Sequence, residues 1–463
     1  MTQTSFKERL QQQRLKRRRW LLALYAGGIV ALFGVSFVIT LMLQVVTGIQ
    51  VVEDSFDFEA DEPAVAIPRE PLDPDQPLHV LIVGIDDGTQ DNGRLGPSAR
   101  RTDTVMLLTV DHLTGHVGIM SVPRDTYVHI PQAAVNEVIE ARGRNTVHEN
   151  PTKMSHVHAY GGPLLAMAAA SDLLGVEIKR FVRLDFRGFE RLIDLLGGIE
   201  IDVERDMFYE DPYQDLYVDI KKGRQVLPGE KALQYARFRC QTLEDGTVRC
   251  GGDIERIRRQ QNFVTALVDR TLRLNVLPRL PQMVEEVTQN MTTNLSSGEL
   301  LELMRMAAAQ AANYDPKRIE MGIVPGTDGY KDRVSYWFVD ADELQKENSR
   351  VIWGVDPGEN AGVEIAIHNA SGELQAGNQL GSQLSDLGYQ VIGVENGADP
   401  LATTQVIDHD RGGRGSLAGK LVARLVGRWV PTAEFYRQFD EAPEVDITIV
   451  IGQDYIRYNS HSE

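Results

Sequence analysis

The chain has 463 residues, 42% hydrophobic and 25% charged, with 66 acidic against 48 basic side chains and a formal net charge of -18. That length accommodates two or three domains with real cores, and the composition is not that of a disordered tail. The acidity argues against nucleic acid as a partner, because phosphate backbones need a basic footprint; any anionic ligand must be met by a local basic cleft.

Residues 20–52 carry no charge, and the run 21–46 is long enough to cross a bilayer as a helix at about 20 residues per span. Lys16-Arg17-Arg18-Arg19 precedes it and residues 53–62 carry only acids. By the positive-inside rule, residues 1–20 form a cytoplasmic basic tail, 21–46 a single transmembrane helix, and the rest lies outside the cell membrane. A cleaved signal peptide would show a shorter apolar run and a small-residue cleavage site, so an uncleaved anchor is expected. Residues 47–77 are acidic and hold Pro63, Pro68, Pro71, Pro74 and Pro77, which suits an extended tether.

At His79 the pattern changes. Segments 79–84, 104–110 and 117–122 are short, β-rich apolar runs bounded by turn residues and read as buried strands. A helix over 162–174, a strand over 181–186, a helix over 189–196 and a strand over 199–203 follow, and this alternation predicts an α/β/α sandwich. Helices are expected over 230–239, 254–273 and 299–312, and strands over 318–324 and 334–339, with 131–152 and 206–219 as loops. A first domain is thus assigned to 78–345 and a linker to 346–361. A small α/β domain follows over 362–454, with strands at 363–367, 389–394 and 445–452 and a helix at 378–387. It has no nucleophile motif or metal cluster and is expected to bind or organise.

Both cysteines, Cys240 and Cys250, lie in one short segment outside the predicted membrane span, where disulfides are permitted. A bridge between them is expected, with two free thiols as the alternative. It would close a short loop worth about 2–3 kcal/mol in the chain-entropy model and pin the connection between two arginine motifs.

Those motifs carry the chemistry. Arginines recur beside carboxylates in Arg100-Arg101-Thr102-Asp103, Pro123-Arg124-Asp125, Arg237-Phe238-Arg239 and Asp253 to Gln261, which includes Arg256, Arg258, Arg259 and Gln260. Each has an ordinary reading alone: Arg-x-Arg on a helix is commonly a solvated face with ion pairs worth ~0–1 kcal/mol, and Asp86 after an apolar strand is equally a turn residue or a helix cap. Together they suit a phosphate or pyrophosphate with a divalent cation, since Arg forks and Mg2+ spread the charge that develops in phosphoryl transfer. Asp86 at a strand end and Asp103 before the next strand would meet at one sheet edge, while Asp253 would orient an arginine or take a proton from an acceptor hydroxyl. His148, His156 and His158 lack zinc-ligand spacing, and neither a Ser-His-Asp arrangement nor a phosphate-cradling glycine loop is apparent.

In order, Val83-Gly84-Ile85-Asp86, Arg101-Thr102-Asp103-Thr104, Ser121-Val122-Pro123-Arg124-Asp125-Thr126-Tyr127, Tyr160-Gly161-Gly162, Leu195-Leu196-Gly197-Gly198-Ile199, the run from Gly229 to Arg239, and Asp253 through Arg256 to Arg259-Gln260-Gln261 resemble the LytR-CpsA-Psr family of cell-wall glycopolymer ligases. The tail resembles the small LytR_C-type domain that often follows, through Asn369-Ala370-Ser371-Gly372 and Asp446-Ile447-Thr448-Ile449-Val450-Ile451-Gly452. The resemblance implies a membrane-anchored phosphotransferase that moves a glycopolymer from a polyprenyl-pyrophosphate carrier to peptidoglycan, with Mg2+ (or Mn2+) as cofactor. It implies Asp86 and Asp103 as metal ligands and Arg101, Arg124, Arg237, Arg239, Arg256, Arg259 and Gln260 around the pyrophosphate. Arg124, Arg237, Arg239 and Asp253 are the expected catalytic residues.

Two other functions use the same residues: a polyprenyl-pyrophosphate hydrolase, with water as acceptor, and a polyprenyl-phosphate-binding envelope protein without turnover. A transcriptional regulator is disfavoured by the anchor, the external location and the acidity of the ectodomain.

Overall fold

The structure is a computed structural model and describes residues 76–85, 102–111, 114–211, 216–243, 245, 247–273, 291–295, 299, 319–355, 357–397, 399–409, 417–438 and 444–455. The apolar run 21–46, nearly all of the tether 47–77, Asp86, Arg101 and nearly all of the predicted helix 299–312 lie outside these residues. Among the described residues no helix is long and apolar enough to cross a membrane. The fold is mixed α/β and divides into two compact units. One comprises Leu184–Cys250 and Asn262–Ala308, the other Glu53–Arg183, Gly251–Gln261 and Ala309–Glu463.

In the second unit, five strands lie in the order Arg180–Asp185, Leu78–Ile85, Thr102–Val110, Val117–Ser121 and Ile319–Ile323. Leu78–Ile85 and Thr102–Val110 pair antiparallel, so do Thr102–Val110 and Val117–Ser121, and Val117–Ser121 runs parallel to Ile319–Ile323. Their near-continuous apolar sequences follow from burial on both faces: adjacent residues Val80 and Leu81, and Val105, Met106 and Leu107, are all buried.

Helix Met154–Leu174 begins eight residues before the expected start and is broken at Gly161 and Gly162, whose φ is 67° at the second position, with Pro163 just after. A glycine adopts that φ without a Cβ penalty. At the break Arg142 Nη1 and Thr146 Oγ1 both donate to the Tyr160 carbonyl.

Three expectations are corrected. The segment 131–152, read as a loop, contains the helix Gln132–Arg142, which buries Ala134, Val135 and Val138 and ends at Gly143 in the left-handed region. No side chain caps its start, so the usual sequence signal for a helix start was missing. The segment 206–219 is not a loop but most of the antiparallel ribbon Met207–Asp211 and Leu216–Ile220. Its exposed positions hold Phe208 and Tyr217 beside Glu210 and Asp219, and these outward aromatics masked the period of two. The linker 346–361 is largely helical, as Ala341–Val351 and Pro357–Asn360. Asp340 caps the longer helix by accepting from Glu343 N. Gly118 admits its end: a Cβ there would stand 1.7 Å from the Val351 carbonyl oxygen.

The other unit has its own core, in which Ile193, Leu196, Ile199, Ile201, Val203, Tyr235, Phe238 and Phe263 are buried with the inward residues of the ribbon. Helix Gly229–Arg237 stops two residues before the expected end because Phe238 turns to ψ 125°. Arg239 therefore follows the helix instead of riding on it.

The C-terminal part forms a five-stranded sheet in the order Gln390–Asn396, Glu364–Asn369, Ile447–Ile451, Gln405–Asp408 and Glu434–Arg437. Helices Ala376–Asp386 and Leu417–Trp429 contribute to its core through Leu380, Leu384, Val422 and Val426, which pack with Ile365, Ile367, Ile447 and Ile449.

Candidate functional site

Pro123, Arg124 and Asp125 occupy the turn that leaves strand Val117–Ser121 for the two-residue strand Tyr127–Val128. The turn is held by its main chain. Thr126 N donates to Pro123 O, Ser155 N to Arg124 O, Met154 N to Thr126 O, and Trp337 N to Asp125 O, all within 2.9–3.0 Å. Arg124 is thus presented from a fixed backbone.

Its guanidinium meets three carboxylates. Nη1 donates to Asp103 Oδ1 at 2.9 Å, and Nε lies 3.5 Å from Asp125 Oδ2 and 3.8 Å from Asp253 Oδ1. Burial works against the Arg124 charge, but Asp103, Asp253 and Asp125 outweigh it and hold the pKa above the usual arginine value.

Asp253 opens helix Asp253–Arg273, and the residues one turn apart on the same face, Arg256, Arg259 and Gln260, are buried. Arg256 Nη2 contacts Asp253 Oδ1, and its Nη1 lies 3.9 Å from Asp103. Gln260 Nε2 donates to Thr104 Oγ1 at 3.1 Å, beside Asp103. Gln261 Nε2 donates to Ser121 Oγ and the Gly322 carbonyl, and Arg259 lies 3.9 Å from Glu255. The two amides fix the helix on the ends of three strands, which brings Asp253 and Arg256 to Asp103 and Arg124.

Both Asp253 carboxylate oxygens are buried and accept no hydrogen bond, and Arg124 Nε donates none. They meet their ion-pair partners as charges without aligned bonds. Such groups are costly unless a further partner completes them.

Arg237 and Arg239 belong to the other unit. Arg237 ends its helix, where a cation suits the dipole, and its guanidinium lies 4.4 Å from the Phe186 ring centroid. It also pulls the Glu190 pKa down, although burial first, then Glu230 and Asp194, leave that carboxyl above its ordinary value. Arg239 similarly favours ionised Tyr209, whose pKa is nevertheless raised by burial and by Asp211. Cys240 and Cys250 stand directly opposite in the paired strands Cys240–Thr242 and Val248–Cys250 and are disulfide-bonded. Asp86 and Arg101 lie outside the described residues.

Of the two expected metal ligands only Asp103 is described, and among the described residues no group of three or more His, Cys, Asp or Glu is arranged to hold a metal ion. Mg2+ commonly takes one or two carboxylates and completes its shell with water and phosphate oxygens, so Asp103 fits it as a partial ligand.

Sequence reasoning missed Lys153. Its Nζ donates to Asp125 Oδ1 at 2.7 Å. The contact arises because Lys153 pairs with Tyr127 across two two-residue strands, too short to show a period.

A mixed α/β protein with a half-buried arginine–aspartate cluster at strand ends and a helix start is the class that fold and site define. The LytR_cpsA_psr family model matches residues 45–351, and the model described as LytR cell envelope-related transcriptional attenuator matches 362–455. The chain belongs to the LytR_cpsA_psr family. Among curated relatives, a protein of Enterococcus faecalis named polyisoprenyl-teichoic acid–peptidoglycan teichoic acid transferase TagU is 30% identical over 273 residues, covering 58% of this chain and 77% of its own length. TagV of Bacillus subtilis, with the same activity in its name, is 27% identical over 58% of this chain and 63% of its own length. The crystal structure of B. subtilis TagV aligns with a TM-score of 0.47 at 26% identity, covering 60% of this chain and 96% of that one.

Proposed function

We propose that this chain is a membrane-anchored transferase that moves a glycopolymer, by its phosphosugar end, from a polyprenyl-pyrophosphate carrier to peptidoglycan. The observation that carries the reading is the cluster of Arg124, Asp103, Asp253 and Arg256, with its buried Asp253 oxygens and Arg124 Nε lacking hydrogen-bond partners. The transferase names of the TagU and TagV relatives support the reaction class.

Arg124 and Arg256, with Arg101, Arg237, Arg239, Arg259 and Gln260, bind the pyrophosphate oxygens and stabilise the charge that grows on them. Asp253 accepts the proton of the attacking peptidoglycan hydroxyl. The hydroxyl oxygen forms a bond to the sugar-bearing phosphorus, the bond from that phosphorus to the bridging oxygen breaks, and polyprenyl phosphate leaves with the electron pair. Asp103, together with Asp86, would hold Mg2+ or Mn2+, which supplies further charge neutralisation at the pyrophosphate. Residues 21–46 anchor the chain with residues 1–20 cytoplasmic and the transfer site outside the cell membrane.

The test incubates the full chain in detergent with Mg2+, a polyprenyl-pyrophosphate-linked saccharide and peptidoglycan fragments, and analyses products by mass. Phosphosugar on peptidoglycan is the expected result. Free phosphosugar with polyprenyl phosphate would make the protein a hydrolase, and bound but unchanged lipid would make it a carrier.

A further inference from the structure

The Arg124 guanidinium is surrounded by carboxylates. Asp103, Asp125 and Asp253 all lie within 4 Å of its guanidinium, while Arg256 is shared between Asp103 and Asp253. Each of these carboxylates competes with an incoming pyrophosphate for the Arg124 charge.

One of the three, Asp125, also meets Lys153, whose placement is specific. Its side chain is only 16% exposed and donates to Asp125 Oδ1 at 2.7 Å, while Asp125 Oδ2 faces Arg124 Nε at 3.5 Å. One carboxylate is thus held between the lysine and the arginine. The Tyr336 ring lies 5.6 Å from the Lys153 ammonium, and this, with the short strand pairing of Lys153 to Tyr127, aims the ammonium at Asp125. Asp125 itself is fixed by Trp337 N on its carbonyl.

We infer that Lys153 is a positioning residue for the anion site: it neutralises Asp125, so that the Arg124 guanidinium is available to a pyrophosphate instead of being held by that carboxylate. Asp103 and Asp253 have other uses in the proposed reaction, as metal ligand and as proton acceptor, whereas Asp125 has none and would compete with the substrate for Arg124. The inference rests on the pyrophosphate reading given above. It requires that the damage from losing Lys153 be transmitted through the Asp125 charge, which separates it from a merely structural lysine.

The experiment measures binding of geranyl pyrophosphate to the full chain in detergent with Mg2+, together with KM and kcat for transfer, in wild type, Lys153→Met, Lys153→Arg, Asp125→Asn and the Lys153→Met/Asp125→Asn pair. Lys153→Met is expected to weaken binding about tenfold, since it leaves Asp125 to pair with Arg124 alone and compete with the substrate for it, and to act on KM more than on kcat. Lys153→Arg should retain most of the affinity. The double variant should bind within about threefold of Asp125→Asn, because the charge that Lys153 offsets is gone. Unchanged binding by Lys153→Met, or a double variant no better than Lys153→Met, would overturn the inference while leaving the proposed function intact. If Lys153→Met fails to fold, Asp125→Asn alone decides: it should bind at least as tightly as wild type, and weaker binding overturns the inference. Wild type that does not bind the pyrophosphate at all would overturn the proposed function itself.

Discussion

Two carboxylates of this protein, both shielded from solvent, have opposite surroundings. Asp454, in the C-terminal sheet domain, is 6% exposed and saturated: it accepts from Thr404 N on both oxygens, from Thr404 Oγ1, from Thr432 Oγ1 and from Tyr455 N. Asp253 accepts no hydrogen bond and faces Arg124 and Arg256 as bare charges. A saturated carboxylate holds a fold together, because its donors fix both the loop and the charge. An unsaturated one among cations costs stability and is poised to receive a proton, a cation or a substrate group. The contrast sets an acid whose donors are all supplied by the fold against one whose oxygens are left open to a further partner.

The comparison breaks most sharply on substitution. Asp253→Asn should lower transfer by about 10²–10³-fold, the scale of losing one positioned catalytic group, while leaving the melting temperature at or above that of wild type. Asp454→Ala should do the reverse. It strands the main-chain and hydroxyl donors it now satisfies, at about 2–4 kcal/mol, and should lower the melting temperature while the folded fraction keeps its activity. Differential scanning calorimetry beside the product assay checks both. A large stability loss in Asp253→Asn would return that residue to the structural class.

The two regions also differed in how much of them was legible in sequence. The central strands were read nearly to the residue, since burial on both faces makes Val80–Val83 and Val105–Leu108 runs of apolar residues that nothing else requires. The arginines and aspartates were found by their juxtaposition along the chain, and Arg124, Asp103, Asp253 and Arg256 come together across it. What sequence did not show was set by contacts made far away. Lys153 meets a residue 28 positions earlier, helix Gln132–Arg142 starts without a capping side chain, and the second half of helix Ala341–Val351 falls in the expected linker 346–361 because its polar face outweighs the few residues it buries. Gly118 had no meaning until the Val351 carbonyl was found against it.

Reduction sharpens the comparison from the other unit. Cys240 and Cys250 are separated by 10 positions and close a short loop, so opening the bridge should cost about 2–3 kcal/mol in the chain-entropy model. Thermal unfolding with and without a thiol reductant measures this, and the double Cys→Ser variant should match the reduced wild type. Because Arg237 and Arg239 precede the bridge in sequence, transfer activity should fall with reduction more steeply than the loss of folded protein alone explains. Equal losses would make the bridge purely structural.

The smallest effect is silent at neutral pH and appears only in alkali, within the same domain as Asp454. Tyr389 is buried in the C-terminal core, and burial alone pushes its phenol up to about 12 from an ordinary 10.0. In the unfolded chain the phenol ionises near pH 10, whereas in the folded domain it stays protonated until about pH 12. Below pH 10 both states hold the proton and the group has no pH-dependent effect. Between the two values the unfolded state binds fewer protons, so stability falls as pH rises through that window, by about 2–3 kcal/mol at most, and levels off above it. Tyr389→Phe should flatten this part of the stability curve, measured as the denaturant midpoint of the C-terminal transition from pH 9 upward. A curve that falls equally in the variant would place the alkaline sensitivity in other groups of the protein.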